Sequence, residues 1–264
     1  AQRGVDVRVL VDTLGNVQGI DDIFDEKPLY RRLRENGVKV ALYNDPRKTG
    51  LSGIIDAMKE IPALREIDGP QTLKDPKVAL KIFDEVLKVS TGIEDVPDYV
   101  RDKVRVAIAN FGKSSKILSA AELKEISTGT LTNKTHKLIL IKLVAELNHR
   151  WHEKSMIVDG NEAIVGGLNI CDEYMLGGTG RTIGTMGAER EAWRDTDMYL
   201  AGPAVRDTHG YFAENWKHLT GEDIPEPSGE PIEITENASK VQIISHHPRL
   251  EGDHNITNVM IENL

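Results

Sequence analysis

The sequence predicts an α/β fold in which a mixed, mainly parallel sheet is flanked by helices and interrupted by an α-helical insertion. Two observations support this prediction. Short β-branched and apolar runs, typical of strands, occur at 5–12, 38–43, 155–159, 163–167 and 197–201. Residues 49–147 instead carry helical periodicity with proline and glycine at the breaks. Within this block the apolar run 137–144 fits a strand or a buried helix, and the helix formers around it favour the helix.

The chain opens with a strand, a helix and a second strand. Residues 5–12 are short and apolar, as in a strand that is buried on both faces. A helical pattern over 27–36 stops at Gly37, and 38–43 resumes as a strand. This order favours a parallel pair of strands that is joined by a right-handed crossover.

Composition excludes several classes of protein. Of the 264 residues, 39% are hydrophobic and 28% are charged, which is ordinary for a globular protein with a real core. The net charge of −9 argues against a broad basic surface for nucleic acid, although a local basic groove stays open. The single cysteine, Cys171, excludes a disulfide framework and a cysteine-ligated zinc site. The sequence also lacks an apolar run of membrane-spanning length and the pattern of a signal peptide.

The densest chemical feature is a histidine and a lysine that stand two residues apart on a predicted strand. His152 and Lys154 therefore project to the same face. An imidazole can attack phosphorus there, while the ammonium neutralises charge that builds up on the phosphate oxygens. Asn169 adds a neutral donor, and the pair Gly166 and Gly167 lets the backbone approach closely or turn tightly. The sequence therefore predicts a phosphate-handling site.

The spacing of these residues is specific. It reads H-x-K-x4-D-x6-G-G-x-N from His152 to Asn169, with Asp159 as its aspartate. From average composition, H-x-K-x4-D alone arises in roughly one chain of this size in a hundred. The two glycines and the asparagine lower that frequency by about three further orders of magnitude. A lone histidine is usually structural, but this pattern outweighs that interpretation.

The pattern resembles the HKD signature of the phospholipase D superfamily. The segments RENGVKVALYN, NICDEYMLGG, WRDTDMYLAGPAV and FAENW extend the resemblance, which is strongest to the first half of bacterial cardiolipin synthases. We therefore expect residues 1–48 and 148–220 to form a phospholipase D-like catalytic half with one HKD motif. Residues 49–147 would be a helical insertion without a counterpart in that family. Residues 221–264 would be a linker and the start of a second half.

The resemblance implies a phosphodiester hydrolase or transferase that forms a covalent phosphohistidine and uses neither a metal nor another cofactor. His152 would be the nucleophile, and Lys154 and Asn169 would bind phosphate oxygens. An acidic residue on the strand after the motif usually orients the histidine in this family. Asp195 is the first candidate for that role, and Asp197 is the second.

Three further positions of the motif are site candidates. Gly166 and Gly167 would contribute backbone to substrate binding. Asp159 belongs to the signature, but a structural role in the turn after the strand fits it at least as well as a chemical one.

The resemblance also implies a missing partner, because the family builds each site from two HKD motifs. The nucleophile needs a second histidine to protonate the leaving alkoxide. His247-Pro-Arg249 is the nearest second match, but Asp253 stands one position early and no glycine pair follows. The second half would come from a longer chain or from a second copy in a homodimer.

The implied substrate is a phospholipid, and a phospholipase D-like nuclease and a catalytically silent scaffold half stay open as alternatives. The acidic balance disfavours a nucleic acid substrate. The expected setting is bacterial, either membrane-associated or cytoplasmic. Peripheral membrane contact is one hypothesis, because Leu51, Ile54, Ile55 and Met58 lie at helical spacing, although core helices share that period.

Two remaining features are interpreted conservatively. The glycine-rich segment 177–187 matches no phosphate-loop pattern and is predicted as a loop beside the site, with Arg181 and Arg190 as weak candidates for head-group contacts. His246, His247 and His254 have no distinctive spacing, so we predict surface residues rather than metal ligands.

Overall fold

The structure of the chain is a computed structural model that describes residues 3–13, 26–65, 75–170, 174, 181–183, 189–191, 194–228, 236 and 239–244. The chain separates into two compact units, Ala1–Arg150 and Trp151–Leu264. Helices and strands both contribute, so the predicted α/β class is confirmed. The predicted domain boundaries at residues 48, 148 and 220 stay a prediction.

The first unit opens with two parallel strands that are joined by a helix. These elements are β1 (Arg8–Asp12), α1 (Pro28–Glu35) and β2 (Lys39–Tyr43). Proline suits the first helical turn, where no backbone N–H partner is needed, and Gly37 ends the helix at φ +79°. The register pairs Asp12 with Tyr43, so both strands end at the same edge. The predicted parallel pair is thus observed.

Helices make up most of the remaining described part of the first unit. They are α2 (Pro46–Thr49), α3 (Leu51–Met58), α4 (Pro76–Thr91), α5 (Asp98–Ser114), α6 (Ala120–Thr128) and α7 (Asn133–Asn148), with a 3₁₀ turn at Pro62–Leu64. Local capping signals fix their starts. Ser119 and Glu122 form a reciprocal capping box at α6, and the Thr132 side chain accepts from the N–H of Thr135 at α7. The ambiguous run 137–144 lies inside α7, which confirms the helical interpretation.

These helices enclose one apolar core. Its buried members come mainly from α3, α4, α5, α6 and α7 and from the link between α3 and the 3₁₀ turn. The largest that are fully buried are Leu51, Ile54, Ile61, Ile82, Phe83, Leu87, Ile108, Phe111 and Ile126. The sequence suggested one apolar stripe for membrane contact. Its residues belong to this core: Leu51, Ile54, Ile55 and Met58. That stripe therefore cannot be a membrane surface in this fold.

The second unit is built on a three-stranded antiparallel sheet. Its elements are β3 (Lys154–Val158), β4 (Glu162–Gly166), β5 (Arg181–Ile183), β6 (Glu189–Glu191), β7 (Asp197–Ala201) and α8 (Ala204–Thr220). The strand order is β3-β4-β7, and β5 pairs with β6. Parallel pairing is confined to β1 and β2 among the described residues, so the expectation of a mainly parallel sheet is wrong for them. The connection between β3 and β4 is too short for the crossover that a parallel pair needs.

A tight turn joins β3 to β4. Asp159 and Gly160 adopt positive φ angles of 51° and 66°, and the N–H of Asn161 donates to the Val158 carbonyl. Two consecutive residues at positive φ are typical of the type I′ turn, for which Asp-Gly is a preferred pair. A Cβ at Gly160 would also lie 2.1 Å from the Pro227 ring. Position 160 therefore requires glycine for both its conformation and its packing.

Helix α8 covers one face of the three-stranded sheet. Ala163, Leu200 and Val205 are buried together there. The opposite face carries exposed apolar side chains, including Met156 at 57% and Tyr199 at 61% exposure. Within the described residues, helices are too short or too polar to cross a membrane.

Candidate functional site

Two motif residues and one of the acidic candidates form one row across the end of the sheet. The register pairs Lys154 with Gly166 and Gly166 with Asp197. Side chains of directly paired residues in antiparallel strands point to the same face of the sheet. Gly166 has no side chain, so the lysine and the aspartate stand on either side of bare backbone.

The Asp197 carboxylate occupies the space that a side chain at position 166 would take. A Cβ on Gly166 would lie 2.1 Å from Asp197 Oδ1, 2.5 Å from the Thr196 carbonyl oxygen and 2.6 Å from Asp197 Cα. Asp197 Oδ1 also accepts a hydrogen bond of 3.2 Å from the N–H of Leu168. The first glycine of the motif therefore permits close contact between β4 and β7.

The second glycine makes room for the other acidic candidate. A Cβ on Gly167 would lie 2.2 Å and 2.4 Å from the two carboxylate oxygens of Asp195. The N–H of Gly167 donates to the Thr196 carbonyl at 3.3 Å, which continues the ladder past the end of β4. Asp195 itself accepts from the N–H of Thr196 at 2.8 Å. The glycine pair thus gathers two carboxylates at the end of the sheet that carries Lys154.

His152 lies just before β3, and its side chain is exposed. The half-buried Lys154 donates from Nζ to the His152 carbonyl oxygen at 2.6 Å. This bond ties the ammonium to the backbone of the histidine, two residues away. His152 is therefore accessible to a substrate, and the lysine ammonium is held at its backbone carbonyl.

Asn169 follows the glycine pair and is exposed. Its Nδ2 donates to the hydroxyl oxygen of Tyr174 at 3.0 Å. The sequence alone assigns Tyr174 no role, although this residue lies in the downstream segment NICDEYMLGG that extends the resemblance. Tyr174 is a new candidate for orienting the amide.

Asp159 lies at the other end of β3 from Lys154. The strand of five residues separates the two by roughly 16 Å. The structure therefore brings Lys154, Gly166, Gly167, Asp195 and Asp197 together and leaves Asp159 in the turn. This placement favours the structural role for the aspartate, which the sequence left open.

Two long-range contacts fix the last residues of the first unit. Asp12, at the end of β1 and 8% exposed, accepts from Arg150 Nε at 2.8 Å. Asn44, directly after β2, donates from Nδ2 to the His149 carbonyl at 2.6 Å. Sequence patterns do not predict these contacts, because they join residues that are more than 100 positions apart.

The face of the sheet that α8 does not cover carries one polar pair. The Tyr199 hydroxyl donates to the Glu162 carboxylate at 2.5 Å. This hydrogen bond raises the pKa of Tyr199 above its ordinary value, so the phenol stays protonated at neutral pH. The pair therefore adds one negative charge, that of Glu162, to the face.

Several candidates named from the sequence lie outside the described residues. These are Cys171, most of the segment 177–187, and the histidines His246, His247 and His254. Backbone at Arg181 and Arg190 belongs to the β5–β6 pair, and their predicted head-group contacts stay a prediction. Across the part of the chain that the structure describes, His, Cys, Asp and Glu form no group of three or more that could hold a metal ion.

Comparison with known proteins shows which proteins this chain resembles. The chain is similar to bacterial cardiolipin synthases. It is 42% identical over 82 residues to cardiolipin synthase 2 of Bacillus cereus, which is 31% of this chain and 14% of the relative. It is 30% identical over 151 residues to the cardiolipin synthase of Geobacillus kaustophilus, which is 56% of this chain and 28% of the relative.

The similarity is confined to part of each protein. The enzyme of Halalkalibacterium halodurans shows 43% identity over 82 residues, again 31% of this chain and 14% of the relative. The matched segments thus span less than a third of these cardiolipin synthases. Neither a protein-family model nor a solved structure matches the chain.

Proposed function

We propose that this chain supplies one half-site of an enzyme that cleaves or transfers phosphodiester bonds in phospholipids through a phosphohistidine at His152. The observation that carries the proposal is the convergence at one sheet end of Lys154, the glycine pair and the Asp195 carboxylate, with the exposed His152 two residues before Lys154. The similarity to cardiolipin synthases supports the same chemistry.

The first step would use His152 as the nucleophile. One imidazole nitrogen attacks phosphorus, the bond from phosphorus to the leaving oxygen breaks, and that oxygen takes a proton from a second acid. Lys154 and Asn169 donate to the non-bridging oxygens as negative charge builds up on them. Asp195 keeps the imidazole oriented and stabilises its positive charge.

The second step would regenerate the histidine. Water or an alcohol attacks phosphorus, the bond between phosphorus and nitrogen breaks, and the second acid of the first step acts as base for the incoming hydroxyl. Water as the acceptor gives hydrolysis, and a lipid or glycerol hydroxyl gives transfer. The residues of this half-site would have the same roles in hydrolysis and in transfer.

The second acid would be a histidine from another half-site. The chain contains one complete HKD motif, and two are needed for both proton transfers. A second copy of this chain, or a further segment of a longer protein, would supply it. If a second copy supplies it, activity should depend on formation of the dimer.

The phospholipid substrate is inferred from the relatives, whose names state that they synthesise cardiolipin. The acidic net charge of −9 supports a lipid rather than a nucleic acid, because nucleic acid binding depends on basic phosphate contacts. A phosphodiester within a lipid offers the same phosphate geometry to Lys154 without needing such a surface.

The test is hydrolysis of a fluorogenic phosphodiester by the chain over a range of protein concentrations, with light scattering to report mass. If a second copy supplies the second histidine, activity rises with dimer formation and disappears in His152→Ala. A folded, inactive monomer indicates that a longer protein supplies it, and the same variant is then tested in that protein. His218→Ala, which removes an exposed histidine on α8, is the matched control and should keep that activity. Activity that survives in His152→Ala, or a folded dimer without activity, would contradict the proposal.

A further inference from the structure

Helix α7 presents a solvent-exposed apolar strip bordered by lysines. Leu138 and Ile141 are 46% and 63% exposed, and Lys134, Lys137 and Ala145 are exposed beside them. Their spacing places all five on one side of the helix. We call these five residues the α7 face.

The α7 face is not needed to hold the helix in place. The other side of α7 is buried in the core through Ile139 and Leu143, both at 0% exposure, and through Leu147 at 7%. These buried residues anchor the helix, whereas Leu138 and Ile141 leave about half or more of their surface in solvent. Their presence on the surface is therefore open to a binding role.

The charge of the α7 face has one sign. Glu146 is the single acidic residue in α7, and it is buried at 4% exposure. Lys142, next to the face, already pairs with Glu122 at 2.7 Å. In a chain with a net charge of −9, the α7 face therefore stands out as apolar and basic.

A comparison within the same helical unit sharpens this contrast. Helix α5 also exposes apolar side chains, Tyr99 at 65% and Val106 at 59%. The carboxylate of Asp102 lies between them on that helix, with its side chain 71% exposed. The Asp102 carboxylate pairs with Arg105 at 3.4 Å, so these two residues give the α5 surface no net positive charge.

We propose that the α7 face docks the chain on the surface of an anionic phospholipid bilayer. Leu138 and Ile141 would enter the boundary between head groups and acyl chains, and Lys134 and Lys137 would contact lipid phosphates. This inference does not rest on the chemistry at His152, although a bilayer surface is where a phospholipid substrate would be found.

The test is flotation of the full chain with vesicles of phosphatidylglycerol and, separately, of phosphatidylcholine. We expect binding to the anionic vesicles that weakens with salt. Lys134→Gln with Lys137→Gln should weaken it about 30-fold, because each lysine near an anionic surface contributes a factor of about five. Leu138→Gln with Ile141→Gln should weaken it by about tenfold or more, through loss of apolar burial.

The matched control replaces the α5 side chains, Tyr99→Gln with Val106→Gln, and should change binding by less than about twofold. Circular dichroism melts verify that each variant folds. Absence of vesicle binding by the folded parent chain would overturn the inference, as would equal loss in the α5 control. Equal binding to phosphatidylcholine, or a concentration-dependent dimer that both α7 double variants abolish, would also overturn it.

The results of this test can be distinguished from those that test the proposed function. Binding of His152→Ala to anionic vesicles would support the α7 inference even if the chain has no phosphodiesterase activity. Conversely, a chain that is active on a soluble diester but does not float with vesicles would overturn the α7 inference alone.

Discussion

The two glycines of the motif should respond differently to the same substitution. At Gly166, an added methyl group meets backbone, at 2.5 Å from the Thr196 oxygen and 2.6 Å from Asp197 Cα, so β4 and β7 must separate. At Gly167, the three nearest atoms belong to the Asp195 carboxylate, which can rotate away. The first change strains the sheet, and the second displaces one side chain.

The magnitudes follow from these contacts. Forcing a methyl group into a packed site costs typically about 1–3 kcal/mol, and replacing glycine in a strand returns roughly 0.5–1 kcal/mol. Gly166→Ala should therefore lower the free energy of unfolding by about 1–2 kcal/mol. Gly167→Ala should change it by less than about 1 kcal/mol, because rotation of Asp195 relieves the contact at the expense of one hydrogen bond.

Gly167→Ala should lose much of its activity although it loses little stability. Displacement of a positioning side chain by about 1 Å can cost about 100-fold in rate, so Gly167→Ala should be severely impaired although it is folded. Adding Asp195→Ala to Gly167→Ala should cause little further loss, since both changes remove the same carboxylate from its place.

Urea unfolding followed by circular dichroism, together with phosphodiester hydrolysis, measures both effects. Equal destabilisation of Gly167→Ala and Gly166→Ala would refute this reasoning, and so would a Gly166→Ala variant as stable as the parent chain. Independent losses of activity in Gly167→Ala and Asp195→Ala would refute it as well.

Three further predictions concern stability. Asp12→Ala should lower the free energy of unfolding by about 2–3 kcal/mol, because it leaves Arg150 without the buried carboxylate that it contacts. Asp159→Asn should be neutral and Asp159→Val should cost about 1–2 kcal/mol, because a β-branched residue disfavours positive φ. For Glu122, burial raises the pKa, but hydrogen bonds from Lys142 and Ser119 outweigh it and the net pKa is lowered. The carboxylate therefore stabilises the fold above its unfolded pKa, and this contribution is lost as the pH falls through the lowered folded value.

Urea unfolding measures the stability change predicted for each of these three sites. Arg150→Ala alone and combined with Asp12→Ala completes a double-mutant cycle, and additive losses would contradict the proposed contact. Equal activity loss in Asp159→Asn and in His152→Ala would contradict a turn role for Asp159. The difference in stability between the parent chain and Glu122→Gln should be present at pH 7 and shrink in acid, and a constant difference would contradict the sign.

Local signals made much of the fold predictable. The capping box at Ser119 and Glu122 is set within four residues, and so is the Asp159-Gly160 turn. The parallel pair of β1 and β2 followed from the order of strand, helix and strand. The antiparallel pairing of β4 with β7 did not follow, because the paired residues are 31 to 39 positions apart and no local residue encodes the direction.

Periodicity also left the direction of helix faces undecided. The apolar stripe at Leu51 and Ile54 has the same spacing as a surface-binding stripe, but it is buried. In α7, whose apolar residues nearly surround the helix, Leu138 and Ile141 face outwards. Only packing against the neighbouring helices distinguishes these cases, and that information is not local in sequence.

The candidate site was predicted by residue type and not by its contacts. His152 and Lys154 were identified from spacing alone, and the glycines were expected to permit a close approach. The groups that approach these glycines are the carboxylates of Asp195 and Asp197, and strand pairing brings them there. Their roles in catalysis stay predictions.

The most direct test of a phosphohistidine at His152 is mass spectrometry of the intact protein after brief mixing with short-chain phosphatidylglycerol. The reaction is quenched in alkali, because the bond between phosphorus and histidine nitrogen is hydrolysed in acid. We expect a covalent adduct of one phosphatidyl group that maps to His152 and is absent in His152→Ala. An active protein that never carries this adduct, or that carries it on another residue, would contradict the proposed mechanism.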